Sequence, residues 1–376
     1  MGWRWASNKD NHFMNDTIKI GDYNLKGRNE LWKNIDFSKE IGGGPLEAGF
    51  DYYFGDDVPN FPPYAFIENN KFVQIPNQIK PDTMYGGPGP MVEGWSLEKV
   101  MPTITKKAVN YIQEQSNKEN PFFLYFALTA PHTPIAPTKD FKGKSKAGLY
   151  GDFVNEVDWS VGQIVEALEK SGQLENTILI FTSDNGSPQR DGQDMGGAIA
   201  SVLKYGHNPS GKWRGMKADI WEGGHRVPFI VSWPNKIKKN TTSDKIICTT
   251  DIFATATSIL GKGQNNSLLE DSFDFSHALF NKVTSNPERN SIVHHSIDGT
   301  FAIRHGDWKL ILGKDSGGFS KNLKIEDIPV ATNGQLYNLK NDPSEKNNLY
   351  DKLPSKVKEL TDLLNKNKDR GYNKHN

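Results

Sequence analysis

The chain has 376 residues, 36% hydrophobic and 24% charged, with Lys plus Arg equal to Asp plus Glu at 45 each. That length accommodates one large domain and a small one, and a formal net charge of zero excludes a broad electrostatic footprint for nucleic acid or an anionic membrane. The one cysteine, Cys248, rules out an intrachain disulfide, and its setting after Ile246 and Ile247 reads as a buried structural thiol.

The first hundred residues are rich in Gly, Pro, Asn and aromatics and read as long ordered loops. Met101–Gln115 then carries Ile104, Ala108, Tyr111 and Ile112 on one helical face. The continuous apolar run Phe122–Leu128 suits a strand buried on both faces of a parallel sheet. Tyr150–Lys170 is the clearest helix, with Phe153, Val157, Val161, Ile164, Val165 and Leu168 in its stripe and Gly172 placed to end it. Thr177–Thr182 and Val227–Trp233 read as further buried strands, and Thr250–Leu260 as a short helix. This alternation predicts an α/β domain with a mostly parallel central sheet flanked by helices over residues 1–285. Past that point the pattern changes. Ile292–Ser296, Phe301–Arg304, Trp308–Leu312 and Leu336–Leu339 read as short strands, and Pro354–Asn365 as an amphipathic helix. Residues 286–376 therefore predict a small antiparallel sheet with a terminal helix and a frayed Lys- and Asn-rich end. No stretch of about eighteen apolar residues is present, so no membrane span is expected, and no signal-type apolar segment follows Met1.

Ligands of open α/β sheets gather at the carboxyl ends of strands. One buried run leads into Thr129-Ala130-Pro131-His132-Thr133-Pro134, the next into Ser183-Asp184-Asn185-Gly186. Asp and Asn together offer hard oxygen ligands for Ca²⁺ or Mg²⁺, although Asn-Gly alone also reads as a turn. A third segment runs from Gly211 through Lys217 and Glu222-Gly223-Gly224 to Arg226-Val227-Pro228.

The order and spacing of these three segments resemble the sulfatase family of the alkaline-phosphatase superfamily. Ala48–Gly55, Phe301–Leu310 and Leu336–Glu345 extend the resemblance over nearly the whole chain. It implies a sulfuric ester hydrolase acting on a sulfated carbohydrate or aryl sulfate. Asp184 and Asn185 would ligate an active-site Ca²⁺, with Mg²⁺ the alternative. His132 and Lys217 would contact the sulfate and the bridging ester oxygen. His225, Arg190, Trp213 and His295 are candidate substrate contacts, and Arg226 reads as structural. The family's export implies a periplasmic or extracellular location.

The chain also departs from the family. No Cys-x-Pro-x-Arg motif is present to supply the formylglycine nucleophile, and neither paired N-terminal aspartates nor a Gly-Lys-Trp-His-Leu-Gly segment occurs. In the family these lie ahead of the region matching Ala48–Gly55. Met1 is therefore expected to be an internal methionine or a late start. The chain alone is expected to be inactive and to bind metal weakly, with an apolar sheet edge unpaired. Two alternatives stand beside the sulfatase reading. A phosphodiesterase or phosphonate hydrolase of the same superfamily would need more His and Asp metal ligands. A non-catalytic relic that binds sulfated glycans would need no nucleophile.

Overall fold

Helix formation in the first half follows the apolar spacing. The computed structural model describes residues 3–7, 32–262, 269–282, 288–323, 331 and 333–371; the end expected to fray, residues 372–376, lies outside them. Met1–Gln173 with Arg190–His207 form one compact unit, and Leu174–Gln189 with Asn208–Asn376 a second.

In the first unit, strands β1 (Phe54–Gly55), β2 (Ile67–Glu68) and β3 (Lys71–Phe72) make a small antiparallel sheet. Helix α1 (Val100–Gln115) packs on helix α2 (Gly148–Lys170). Val100, Ile104, Ala108 and Ile112 recur every fourth residue and are buried, as are Phe153, Val157, Ile164 and Leu168. These are the i, i+4 positions that share one helical face. The one polar contact in this seam, Thr105 Oγ1 to Ser160 Oγ at 3.0 Å, satisfies both buried hydroxyls. Gly172, at φ +69°, ends α2 in a left-handed turn.

The second unit holds the antiparallel pair β4 (Leu179–Thr182) and β5 (Phe229–Ser232), with Ile180 opposite Val231. The C-terminal sheet follows as β6 (Ser291–His295), β7 (Phe301–His305), β8 (Trp308–Ile311) and β9 (Gln335–Asn338), all antiparallel in that order. Gly306, at φ +57°, makes the β7–β8 turn. Period-two alternation gives this sheet two distinct faces. Ile303, Leu310 and Leu336 stand in register and receive Leu360 and Leu364 of the terminal helix α4 (Pro354–Arg370). Ala302, Ile311 and Tyr337 pack instead with Ile220, Trp221 and Leu339.

The expected parallel sheet is not what these ladders form. Every described ladder is antiparallel, and the parallel contact among the described residues is a single bridge, Tyr64 with Met91. The run Phe122–Leu128 joins no ladder, and its alternate side chains Phe123 and Tyr125 are 71% and 72% exposed. Apolar composition reports that a segment can be buried on both faces. It carries no information on where the partner strand lies, because pairing is non-local.

Truncating Leu360, which is fully buried against three strands, should destabilise the second unit by roughly 2–5 kcal/mol through lost burial and a residual cavity. Urea unfolding of Leu360→Ala against wild type measures it; a shift below about 1 kcal/mol would mean the helix is not held by this face.

Candidate active site

Strand β4 delivers Ser183-Asp184-Asn185-Gly186 at its carboxyl end. The Asp184 Oδ1 accepts the Asn185 N–H at 2.9 Å, and Ser183 Oγ donates to the Asn185 carbonyl at 3.1 Å. Asn185 Nδ2 donates to the Gly186 carbonyl at 3.0 Å, which leaves its amide oxygen as an acceptor. Asp184 is exposed and Asn185 half-buried.

This turn lies backbone-on-backbone against residues 215–224. Gly186 N–H donates to the Gly224 carbonyl at 3.0 Å, and Lys217 N–H to the Ser187 carbonyl at 3.0 Å. A Cβ on Gly186 would stand 1.9 Å from the Gly223 carbonyl oxygen. One on Gly224 would stand 2.3 Å from that of Asp219. Only glycine permits so close an approach, so the Glu-Gly-Gly string brings Asp184, Asn185, Lys217 and His225 into one neighbourhood.

The same loop is fixed from the other side. The Asp219 carboxylate accepts the Met216 and Ser320 N–H groups at 2.8 and 2.9 Å. Ile220 N–H reaches the Ser316 carbonyl, and Ile297 N–H the Ala218 carbonyl. Glu222 opens a short helical turn, α3 (Glu222–His225), over the inner face of the C-terminal sheet. Its Oε1 pairs with Lys309 Nζ at 3.0 Å, and its own N–H donates to Glu345 Oε2 at 2.7 Å. Lys309 is fully buried and also pairs with Glu345 at 2.9 Å. Arg226 and Arg304 approach Glu222 Oε2 at 3.4 and 3.7 Å. Burial opposes ionisation of Glu222, but Lys309 and Arg304 outweigh it and hold its carboxyl below the usual range. Burial dominates at Glu345 and pushes it up to about 7.

The remaining named residues divide by their contacts. Lys217 is half-buried, and among the described residues no carboxylate pairs with its Nζ. Trp213 stacks under the Arg226 guanidinium at 3.9 Å, which accounts for Arg226 as structural. His225 keeps an exposed edge, yet desolvation of its inner edge and the Lys309 charge hold it down to about 4. The ring that meets His225 is His294, at 4.3 Å between centroids, rather than His295. His295 gives Nδ1 to the Ser296 carbonyl and lies beside Phe301. His132 and Arg190 belong to the first unit. His132 is exposed with Nδ1 on the Thr133 carbonyl at 2.7 Å, leaving Nε2 outward. Arg190 donates to the Gly197 carbonyl.

Lys309 and Glu345 escaped the sequence reading because each is assigned by a partner distant in the chain, whereas His294 and His295 both stand in the sequence as residues that could reach the site from the C-terminal part, with edge-strand positions at least as good a reading. One further string had a signal. Ser285-Asn286-Pro287-Glu288-Arg289 matches a serine form of the nucleophile motif. Residues 285–287 lie outside the described residues. Arg289 is buried in a two-point pair with Asp251, Nε at 2.9 Å and Nη2 at 2.6 Å, and is thereby committed to the scaffold.

A sequence model described as Sulfatase matches residues 22–262, more than half of the chain. The chain belongs to the sulfatase family. A second model, described as N-sulphoglucosamine sulphohydrolase, C-terminal, matches residues 216–370 of this sulfatase chain. An N-acetylgalactosamine-6-O-sulfatase of Bacteroides thetaiotaomicron is 37% identical over 335 residues, 87% of this chain and 62% of that protein. The N-acetylgalactosamine-6-sulfatase of Mus musculus is 30% identical over 61% of this chain and 42% of its own length. The chain thus spans less than two thirds of these relatives. A solved structure described under the metabolism of multiple glycosaminoglycans by Bacteroides thetaiotaomicron superposes with a TM-score of 0.72. It is 31% identical, over 88% of this chain and 75% of that one. A Pseudoalteromonas sulfatase, 22% identical with a TM-score of 0.67 over 89% of this chain and 69% of its own, shares the fold. These neighbours place the chain in the α/β class.

Because Glu345 is protonated more readily in the folded chain than in the unfolded one, folding takes up a proton there. Its contribution is fully present below about 4.5, the ordinary glutamate value, and is lost as pH rises through about 7. The stability difference between wild type and Glu345→Gln should therefore fall across that window. A flat difference in urea titrations from pH 4.5 to 7.5 would rule the coupling out.

Proposed function

We propose that this chain belongs to a sulfuric ester hydrolase acting on a sulfated carbohydrate, with 6-sulfated N-acetylgalactosamine as the substrate class. The observation that carries the reading is Lys217, an ammonium without a carboxylate partner among the described residues, whose backbone N–H is held by the Ser187 carbonyl beside the Asp184–Asn185 turn. The names of the bacterial and mouse relatives supply the sugar.

A sulfate monoester is anionic, and charge gathers on the bridging oxygen as the S–O bond breaks. The Lys217 ammonium would bind the sulfuryl oxygens and meet that charge. By family likeness alone, His132, whose Nδ1 is held by the Thr133 carbonyl, would hydrogen-bond or protonate the departing alkoxide. The Asp184 carboxylate and the Asn185 amide oxygen are hard donors that fit Ca²⁺ or Mg²⁺. Two donors are half a shell, and among the described residues no group of three His, Cys, Asp or Glu could hold a metal. The bound cation would neutralise charge on the sulfuryl oxygens. This sequence holds no Cys-x-Pro-x-Arg precursor for the family's formylglycine, and the arginine of its serine string, Arg289, is tied to Asp251, so the proposal assigns binding and orientation to the residues named above and no nucleophile to any of them. Export to the periplasm or exterior is part of the same proposal, by family likeness.

The decisive test is calorimetric binding of 6-sulfo-N-acetylgalactosamine with and without Ca²⁺. Lys217→Ala should weaken it by about 10- to 100-fold, the loss of a charge-assisted contact, and Asp184→Ala should remove the Ca²⁺ dependence. Affinity unchanged in Lys217→Ala would sink the reading.

A further inference from the structure

Residues 80–89 form a closed loop in the first unit. The antiparallel pairs Gln78 with Met91 and Ile79 with Pro90 lead into it, and the Lys80 N–H donates to the Gly89 carbonyl at 2.9 Å. The loop lies down on Asn60–Tyr64. Gly87 N–H donates to the Asn60 carbonyl at 3.0 Å, and Tyr64 Oη to the Gly87 carbonyl at 2.8 Å. Gly86 sits at φ +112°, where a Cβ would stand 2.3 Å from Tyr64 Oη, so glycine is what lets the loop come this close. Asn60, Phe61 and the loop line an open cavity of about 580 Å³. Pockets that take small ligands are of that size, about 300–1,000 Å³.

Lys80 is the unusual residue of this lining. A lysine normally keeps its charged head in water, yet Lys80 is 6% exposed. Its Nζ donates to the Pro81 and Met84 carbonyls at 2.8 and 2.5 Å, and among the described residues no carboxylate pairs with it. Lys309, similarly buried, is met by two carboxylates. An ammonium has three donors, and two carbonyls engage two of them without cancelling the charge. A buried charge left uncancelled is costly and is relieved by an anion. Tyr85 lines the same cavity. Its hydroxyl rests against Gly196, where a Cβ would stand 2.8 Å from it, and among the described residues no ring stacks on its face. Asp82 lines the cavity too, but it is exposed, so water and salt screen its charge more than that of Lys80.

We propose that this cavity is an acidic-sugar subsite, in which Lys80 Nζ donates to the carboxylate or sulfate of a further sugar and the Tyr85 ring packs on that sugar's face. The choice of a sugar as the carrier rests on the sulfated-carbohydrate reading above, whereas the demand for an acid rests on Lys80. The ligand is then a glycan with more than one acid group.

The test titrates glucuronate, glucose 6-sulfate and glucose into the Lys217→Ala chain, where the sulfate contact proposed above is absent. At least one acid should bind more tightly than glucose. Lys80→Met in the same chain should weaken that acid by about tenfold or more and leave glucose as it was. Binding of glucuronate alone identifies a uronic acid, of glucose 6-sulfate alone a second sulfated sugar, and of both the acid group itself. Acids that bind no more tightly than glucose, or that are unmoved by Lys80→Met, overturn the subsite. Asp82→Asn should tighten the acid about two- to fivefold by removing a like charge; weaker binding would mean that Asp82 reads sugar hydroxyls there, and overturns it as well. Should Lys80→Met fail to fold, backbone ¹⁵N spectra of the wild type decide. The acid should shift the Gly86 and Gly87 amides, and an acid bound without moving them refutes the contact. The fate of the carbohydrate reading is read separately, with 6-sulfo-N-acetylgalactosamine in the Lys80→Met chain. Adding Lys217→Ala should still lower that affinity; if it does not, the reading falls and the acid-binding cavity stands.

Discussion

The second unit depends on one buried cation. Lys309 has no solvent exposure, and an ammonium removed from water is tolerated only where opposite charge meets it. Its two partners come from different places, Glu222 from the loop after Lys217 and Glu345 from the segment after β9. The inner face of the sheet therefore closes only when both are in place. Glu345 also takes the Glu222 N–H, so it orients the turn as well as the charge. Well-packed apolar side chains can match a buried ion cluster in stability. What they cannot do is distinguish one register from the next, whereas a single placement of the loop pairs all three groups.

Register is what the site needs. Lys217 lies five positions before Glu222, and the segment between them is tied to the C-terminal part of the chain through the backbone of Ala218 and Ile220 and the carboxylate of Asp219. On its other side the loop meets the β4 turn at glycines that leave no room for a Cβ. Anchored from both sides, the loop has little freedom to carry Lys217 away from Asp184 and Asn185. Preorganisation of this kind is what the proposed function asks of the loop, because charge stabilisation then requires no rearrangement when a ligand binds.

The sequence shows these parts unevenly. Helices α1, α2 and α4 were legible because their spacing is local, and the Asp-Asn-Gly and Glu-Gly-Gly strings were legible because close backbone approach demands particular residue types. The terminal sheet was legible from its turns and its alternation. Lys309 was not. In Trp308-Lys309-Leu310 it occupies what an amphipathic strand would turn to water, and its partner Glu222 lies 87 residues away. The parallel sheet failed for the same reason: Phe122–Leu128 and the β4 run carry the right composition, and composition does not name a neighbour. Of the adjacent histidines, sequence could not say which faced the loop. The pairing of His294 with Ala302 settles it, and that pairing depends on the β6–β7 register.

Charge accounting across the loop explains why Lys217 stands out among so many basic residues. Arg214 covers Trp221 and donates to the Glu345 carbonyl. Arg226 covers Trp213 and pairs with Glu222. Arg304 adds to the same carboxylate, and Lys309 is enclosed by two. Each of these cations has its field absorbed by a fixed partner, and the two imidazoles nearby are held neutral. Lys212 lies over the Trp213 ring, so among the described residues Lys217 is the cation of this loop left without such a fixed partner, as the proposed sulfate contact requires.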